Sequence, residues 1–527
     1  MRVLVTGGSG VVGEAAVRAL LQRGHRVRLL ARHAEEDARI WPEGVEPHVG
    51  DVTDPASLAG AARGCEAVLH VVGIVREHAP ASTFQAVNVD GTRHVVDEAA
   101  RAGVPRFVYV SSLGAPTGES PYHRSKHAGE LEAQRFPGRW VIVRPANVYG
   151  PGDEVISQLL RMVRMLPAVP VLAGGEQEFQ PVWADDVGQA LAVACEREDL
   201  AGRALDVAGT DRTTMHDLLD RFAALTGREP VRLPVPGFLA RLGLKAADVV
   251  GVDLGLDEGQ LTMLDERNVI ARPEDNALLH VLGVTPTPLD DGLRRLLDAL
   301  PEQLPAEGRG ALHHKRFWAD IVGASLDAPA LFHRLCTRFD DVTPGALDLH
   351  AEPGTPDAVL SVGQTVTMAI PLRGHVQVRV AEFGSTSVTL QTLEGHAIAG
   401  AVRFVVEPSD GRDYRFLIEL FDRAASAVDW VAMTAIGGRL QDATWRELVE
   451  SMVGESGGRA ADGVQERLTS LDGAEAERVY GWLEELATRR RHDANARAIA
   501  DARSDATESP GVPRSQESRA DEPRAAG

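Results

Sequence analysis

Tyr122, Lys126 and Ser112 form a group able to move a proton beside a carbonyl or alcohol carbon. A helix puts positions four apart on one face, so in Tyr122-His123-Arg124-Ser125-Lys126 the phenol and the ammonium can share a site. A neighbouring ammonium favours phenolate, which lowers the phenol's pKa and makes Tyr122 a usable proton donor or acceptor near neutrality. Ser112 follows an apolar run, Arg106–Val110, and precedes Tyr122 by ten residues. Its hydroxyl can donate a hydrogen bond to an oxygen that gains negative charge as hydride arrives or departs. A Y-x-x-x-K spacing taken alone carries little weight. Here it follows a strand ending in Ser111-Ser112, downstream of a glycine turn, and that joint arrangement carries the reading.

The turn is Thr6-Gly7-Gly8-Ser9-Gly10-Val11-Val12-Gly13, set between an apolar strand and an amphipathic helix. Gly7 permits the tight turn, Gly10 lets the backbone approach a pyrophosphate, and Gly13 allows the helix to pack closely on the strand. Val11 and Val12 open the helix, whose free N–H groups and positive dipole end suit phosphates. The second strand ends Leu30-Ala31-Arg32-His33, without an acid to hold a ribose 2′-hydroxyl. Arg32 can pair with a 2′-phosphate instead, so NADP(H) is favoured over NAD(H); the plain alternative is a solvated surface charge. Asp51 and Val52 follow the third strand, where Asp51 can hydrogen-bond the adenine amino group. Val72 and Gly73 end the fourth and can line the ribose and pyrophosphate.

The elements that must position these groups are legible as alternation. Val3–Val5, Val27–Leu30, Ala67–Val72, Arg106–Val110 and Val141–Val143 read as buried strands, separated by helical patterns at Gly13–Arg23, Gly91–Ala102 and Ser125–Arg135. This predicts an α/β Rossmann domain, a doubly wound parallel sheet, over residues 1–300, with a smaller substrate-covering lobe from Val182 onward. Pro301–Gly310 is rich in Pro, Gly and charge and reads as a linker, taken as 301–312. His313-His314-Lys315 reads as its solvated end. Beyond it come a helix at Ala328–Phe339 and period-two strands at Val376–Val380, Ser387–Leu390, Ala401–Glu407 and Tyr414–Leu420. A helix at Trp430–Met452 closes an α+β domain, 313–455, in which a curved sheet grips a helix. Val479, Trp482, Leu483 and Leu486 give a helical extension within 456–490. Residues 491–527 hold almost nothing to bury and are expected to be disordered.

The chain resembles the extended and atypical short-chain dehydrogenase/reductases over roughly residues 1–300. The resemblance rests on TGGSGVVG (6–13), GDVTD (50–54), Asn88–Thr92, YVSSLGA (109–115), YHRSK (122–126), RPANVYGPGD (144–153) and PVWADDV (181–187). The wording SSLGA and YHRSK is most similar to the branch related to the 39-kDa accessory subunit of respiratory complex I. The resemblance implies that Ser112, Tyr122 and Lys126 are catalytic, that Asn88 supports the active-site helix and a water network, and that Arg144-Pro145 precedes the substrate loop. Ala31-Arg32 replaces the acid usual in NAD-retaining epimerases, and Trp183 stands where many members have histidine. Phe238–Leu242 is apolar, which suits a hydrophobic substrate or core packing. Thr392-Leu393-Glu394-Gly395-His396, with Gly400 and Arg403-Phe404, resembles a TLxGHxxxGxxRF segment associated with helix-grip, START-like domains that enclose hydrophobic ligands. His396 is read there as satisfying a backbone carbonyl.

The formal net charge of −21 argues against non-specific nucleic-acid binding. Cys65, Cys195 and Cys336 form no CxxC pair, and no metal site is expected. No apolar run approaches bilayer length, so a cytoplasmic protein without an integral membrane segment is expected, with a small-molecule substrate and a homodimer as the candidate assembly. The leading reading is an NADP(H)-dependent oxidoreductase acting on a hydrophobic substrate. Its alternatives are a nucleotide-sugar epimerase or dehydratase, and a non-catalytic NADPH-binding structural or sensing protein.

Overall fold

Val3–Val5, Val68, Leu69 and Phe107–Val108 are almost wholly buried, as expected of strands covered on both faces. In the computed structural model they lie mid-sheet. It describes residues 1–508 apart from 79, 81, 173, 237–265, 267, 344–348, 350–351, 354–358, 371–373, 410–412, 427–428 and 431–437. The expected Phe238–Leu242 stretch and residues 509–527 lie outside the described residues.

The first sheet comprises β1 (Arg2–Thr6), β2 (Arg26–Ala31), β3 (Val45–Val49), β4 (Ala67–His70), β5 (Arg106–Val110), β6 (Arg139–Pro145) and β10 (Arg203–Val207), seven parallel strands. Their order, β10-β6-β5-β4-β1-β2-β3, reverses direction between β1 and β4. Ligands of such sheets bind in the crevice outside the carboxyl ends at that point. Helices α1 (Val11–Gln22), α3 (Gly91–Arg101), α4 (Pro121–Gln134) and α6 (Ala184–Glu196) cover the faces, and a short α2 (Ala34–Asp37) follows β2. The lobe is built from β7 (Val148–Tyr149) paired with β9 (Val182–Trp183), β8 (Ala168–Leu172) paired with β11 (Val231–Val235), α5 (Ile156–Met165) and α7 (Met215–Thr226).

The second sheet is separate and antiparallel: β12 (Arg309–Val322), β13 (Thr365–Ile370), β14 (Gly374–Phe383), β15 (Ser387–Thr392), β16 (Ile398–Glu407) and β17 (Tyr414–Ala424), with β18 (Arg459–Ala460) and β19 (Gln465–Ser470) on the outer side of β12. Helices α8 (Ala328–Thr337) and α9 (Gly438–Glu455) pack on one face through Leu331, Leu335, Leu448 and Met452 against Phe317, Ile321, Phe404 and Phe416. The opposite face takes α10 (Gly473–Glu508), with Leu483 and Leu486 against Ala401.

Three sequence expectations need correction. Residues 309–312 belong to β12 rather than to a linker, and Glu302, before it, is a buried acid held by Arg379 (2.7 Å) and Arg490 (3.0 Å). Lys315 is buried inside the sheet beside Gln441 (2.8 Å) and Asp442 (3.1 Å), and His314 stacks on Phe421, so these residues are not a solvated end. Residues 491–508, expected to be disordered, continue α10 and lie along α1.

The two halves meet through charge. Arg164 of α5, 2% exposed, makes two 2.8 Å bonds to Glu352 and one to the Gln377 amide oxygen. Arg161 pairs with Glu394, so the TLEGH segment sits against α5, where His396 Nδ1 accepts the Ile398 N–H (3.0 Å). Removing one partner of a buried pair strands the other charge. Arg164→Ala is therefore expected to destabilise the protein by about 3–5 kcal/mol. Urea unfolding that gives an unchanged free energy would contradict a structural role for this pair.

Candidate active site

The glycine turn forms a cradle whose open side faces outward. Gly7 has φ of +71°, and a Cβ there would lie 2.8 Å from the Val72 nitrogen, so the turn abuts the expected ribose-lining residue. A Cβ on Gly13 would fall 2.0 Å from the Gly7 carbonyl oxygen; only glycine lets α1 sit so close to β1. On Gly10 a Cβ would meet nothing nearer than 3.8 Å. Gly10 also caps α1 without a side chain, leaving the N–H groups of Val11, Val12 and Gly13 in the unpaired first turn for an anion. These residues fit a dinucleotide pyrophosphate. Arg32 is exposed at the end of β2 and makes no ion pair among the described residues, whereas one Asp51 oxygen is taken up by the Thr53 N–H and hydroxyl, both at 2.8 Å. Val52 is buried in the core under the adjoining helix.

Sequence reasoning missed Asp37, which ends α2 close enough to Ser9 of the glycine turn for the serine to act on its carboxyl. Burial raises its carboxyl above the ordinary range, an effect opposed by Ser9, His33 and Arg491. Nothing in the spacing marks this contact, because it depends on how α2 folds back over the turn.

Tyr122 lies in the first turn of α4, earlier than the Ser125–Arg135 helix expected. Ser120 caps the helix by accepting the His123 N–H (3.2 Å), and Pro121 follows with its φ preset for a helix start. Glu266 holds this end from outside: its carboxylate accepts from the Glu119 and Ser120 N–H groups (2.6 Å each) and pairs with His123. Ser112 lies close enough to the Tyr122 phenol to act on its pKa. Lys126, one turn on, is 3% exposed and donates to the Val110 carbonyl (2.7 Å), with its Nζ 4.7 Å from the centre of the Tyr109 ring. A Cβ on Gly73 would sit 3.1 Å from Lys126 Nζ and 3.5 Å from Asn88 Oδ1, which places these three together.

Asn88, in a π-helical turn (Gln85–Asp90), holds the Ile74 backbone from both sides, accepting its N–H (2.8 Å) and donating to its carbonyl (3.0 Å). It also donates to Ser125 (2.9 Å), which donates to the Tyr122 carbonyl (2.7 Å). Behind it runs a buried polar relay: Thr92 donates to the Asn88 carbonyl (2.7 Å), and His70 bridges Thr92 (3.1 Å) and Thr6 (2.7 Å). Since the Thr92 proton is committed, His70 donates through Nε2 and accepts at Nδ1. Burial, helped by the Lys126 charge, lowers His70 to about 3, so it stays neutral and structural. Asn88 thus acts on Tyr122 through Ser125, as a positioning residue. Arg144, expected only to precede a loop, holds buried Glu130 with two bonds (2.7 and 2.6 Å), and Glu130 in turn accepts from Ser111 (2.6 Å).

The expected depression of Tyr122 by Lys126 is reversed. Burial pushes the phenol up to about 12, with the Ser112 hydrogen bond opposing. Burial also lowers Lys126 to about 7, with Glu130 opposing. The ammonium spends its proton on a backbone carbonyl and an aromatic face rather than on the phenol.

The NAD dependent epimerase/dehydratase family profile matches residues 3–208. Ceramide reductase of Caulobacter vibrioides is 34% identical over 241 residues, which covers 45% of this chain and 75% of that protein. The chain belongs to the NAD dependent epimerase/dehydratase family. Sterol demethylase protein B of Methylococcus capsulatus is 35% identical over 266 residues, 45% of this chain and 78% of that protein. A mitochondrial NADH dehydrogenase [ubiquinone] 1 alpha subcomplex subunit 9 of Arabidopsis thaliana is 27% identical over 291 residues, 52% of this chain and 71% of that protein. Membership makes this chain an NAD(P)-dependent oxidoreductase in class, built on a nicotinamide-dinucleotide fold. No helix among the described residues is long and apolar enough to cross a membrane.

The lowered Lys126 has a thermodynamic consequence. The unfolded lysine, near its ordinary 10.5, binds its proton more tightly than the folded one, near 7. Between those values the unfolded chain carries the extra proton, so this group's contribution to stability rises with pH across that window. Lys126→Met is expected to flatten that component of the slope in unfolding experiments from pH 7 to 10. Identical slopes for variant and wild type would show that Lys126 is not held in this state.

Proposed function

We propose that the protein is an NADP(H)-dependent reductase or dehydrogenase of a carbonyl or alcohol carbon on an apolar, lipid-like substrate. The observation that carries this reading is the nearness of Ser112 to Tyr122 at the carboxyl edge of the sheet, with Lys126 and Gly73 beside them and the glycine cradle two strands away.

A bound nicotinamide supplies or takes the hydride. Ser112 donates a hydrogen bond to the substrate oxygen and stabilises the charge that develops there. Tyr122, kept protonated by its raised pKa, delivers its phenolic proton to that oxygen as a carbonyl is reduced. Lys126, held at the Val110 carbonyl, would hold the nicotinamide ribose of a bound dinucleotide. Asn88 fixes the turn that carries Tyr122, and Gly7, Gly10, Val11, Val12 and Gly13 hold the pyrophosphate.

The cofactor preference rests on Arg32 and on the absence of an acid at the end of β2. The substrate class is supported by the relatives whose names specify ceramide and sterol chemistry, and by a 2-alkyl-3-oxoalkanoate reductase of Stenotrophomonas maltophilia, 27% identical over 253 residues. The antiparallel domain is proposed to hold or present the same apolar molecule.

Tyr122→Phe removes the proton source without altering the cradle. It is expected to abolish turnover of NADPH with a long-chain ketone while leaving the NADPH dissociation constant nearly unchanged. Ser112→Ala is expected to lower kcat by about 100-fold. Stopped-flow hydride transfer at the wild-type rate in Tyr122→Phe would remove the phenol from the mechanism.

A further inference from the structure

The C-terminal helix α10 reaches the corner of the Rossmann half where the adenosine of a dinucleotide would lie. Its first turns are fixed to the antiparallel sheet: Trp482 stands edge-on to Phe421 at 5.5 Å, and Arg490 bonds buried Glu302. From there it runs along α1. Asn495 accepts from Arg18 (3.1 Å) and donates to the Ile40 carbonyl (3.0 Å), Ala498 accepts from Gln22 (3.1 Å), and Arg503 donates to the Leu21 carbonyl (2.6 Å). Ile499 is buried in the Rossmann core. These contacts fix the side chain between the two runs. Arg491 pairs with Glu14 in the first turn of α1, and its charge acts on Asp37, the acid near Ser9 of the glycine turn.

We propose that Arg491 is a specificity-determining residue for the dinucleotide, placing a cation from the far end of the chain at the rim of the adenosine phosphate site. The inference rests on the NADP(H) reading. A 2′-phosphate brings about two negative charges at neutral pH. The charged groups around this corner are Arg32 and His33 after β2, Glu36 and Asp37 on α2, Glu14 on α1, and Arg491 on α10. Without Arg491 the acids Glu14, Glu36 and Asp37 outnumber Arg32, which disfavours a phosphate's charge at this corner. With Arg491 in place, Glu14 and Asp37 are countered and Arg32 remains available to the phosphate. Cofactor choice is thereby tied to the helix that also holds the antiparallel domain.

The test is titration of the purified full chain with NADPH and with NADH, followed by quenching of tryptophan fluorescence, for wild type, Arg491→Ala and Asn495→Ala. Losing one charge-assisted interaction, Arg491→Ala is expected to weaken NADPH binding by about tenfold and to leave NADH binding within about twofold. Asn495→Ala loosens the same helix without changing charge and is expected to affect both dinucleotides alike. A wild type that prefers NADPH, together with an Arg491→Ala variant that keeps that preference or loses both dinucleotides equally, overturns the role of Arg491 alone. A wild type that binds NADH as tightly as NADPH overturns the cofactor reading first, and the proposal with it.

Discussion

The close approach of α1 to its neighbours is the constraint on which the rest of the molecule depends. Gly13 brings this helix against the turn that leaves β1, and a Cβ would lie 2.6 Å from the Gly8 Cα. Gly188 brings α6 against its other side, where a Cβ would lie 2.4 Å from the Ala15 carbonyl oxygen. Packed this closely, α1 presents its N-terminal N–H groups at the point where the strand order reverses, with Gly10 as a cap that makes no side-chain hydrogen bond. The same helix is the surface on which α10 lies. Cradle, sheet and C-terminal strap therefore share one fixed element.

The proton-handling side is organised differently, by buried hydrogen bonds whose donors and acceptors match. Thr6, His70, Thr92, Asn88 and Ser125 connect β1 to the backbone of Tyr122, each group finding a partner inside the protein. A satisfied network in a low-dielectric interior is stiff, and partly satisfied ones are costly. The Glu266 carboxylate at the start of α4 and the Arg144–Glu130 pair behind Ser111 hold the same region from the two other sides. Ser112, Tyr122 and Lys126 lie beside this network.

Much of this was legible in the sequence, because local rules and tertiary structure agree in the Rossmann half. Apolar strands, glycine spacing and the Ser/Tyr/Lys order each follow from short-range geometry. The earlier start of α4 was also readable, since Ser120-Pro121 is an N-cap followed by proline. Other features depend on partners far away in sequence. Pro301–Gly310 has the composition of a linker, yet Glu302 is buried because Arg379 and Arg490 come to it. Residues 491–508 offer little apolar surface besides Ile499, so composition suggested disorder. They are held instead by side chains that reach backbone carbonyls on α1 and at Ile40. The Asp37–Ser9 contact and the lowered Lys126 are likewise products of burial, which spacing does not encode.

On the proposed reading, one chain joins an NADP(H) cradle to the handling of an apolar carbonyl compound. Its most direct test is mass spectrometry of the small molecules released when freshly purified protein is denatured. NADP(H) is expected, together with an apolar molecule bearing an oxidisable or reducible oxygen. Release of NAD alone, without any lipid-like compound, would contradict it and turn the assignment toward nucleotide-sugar chemistry.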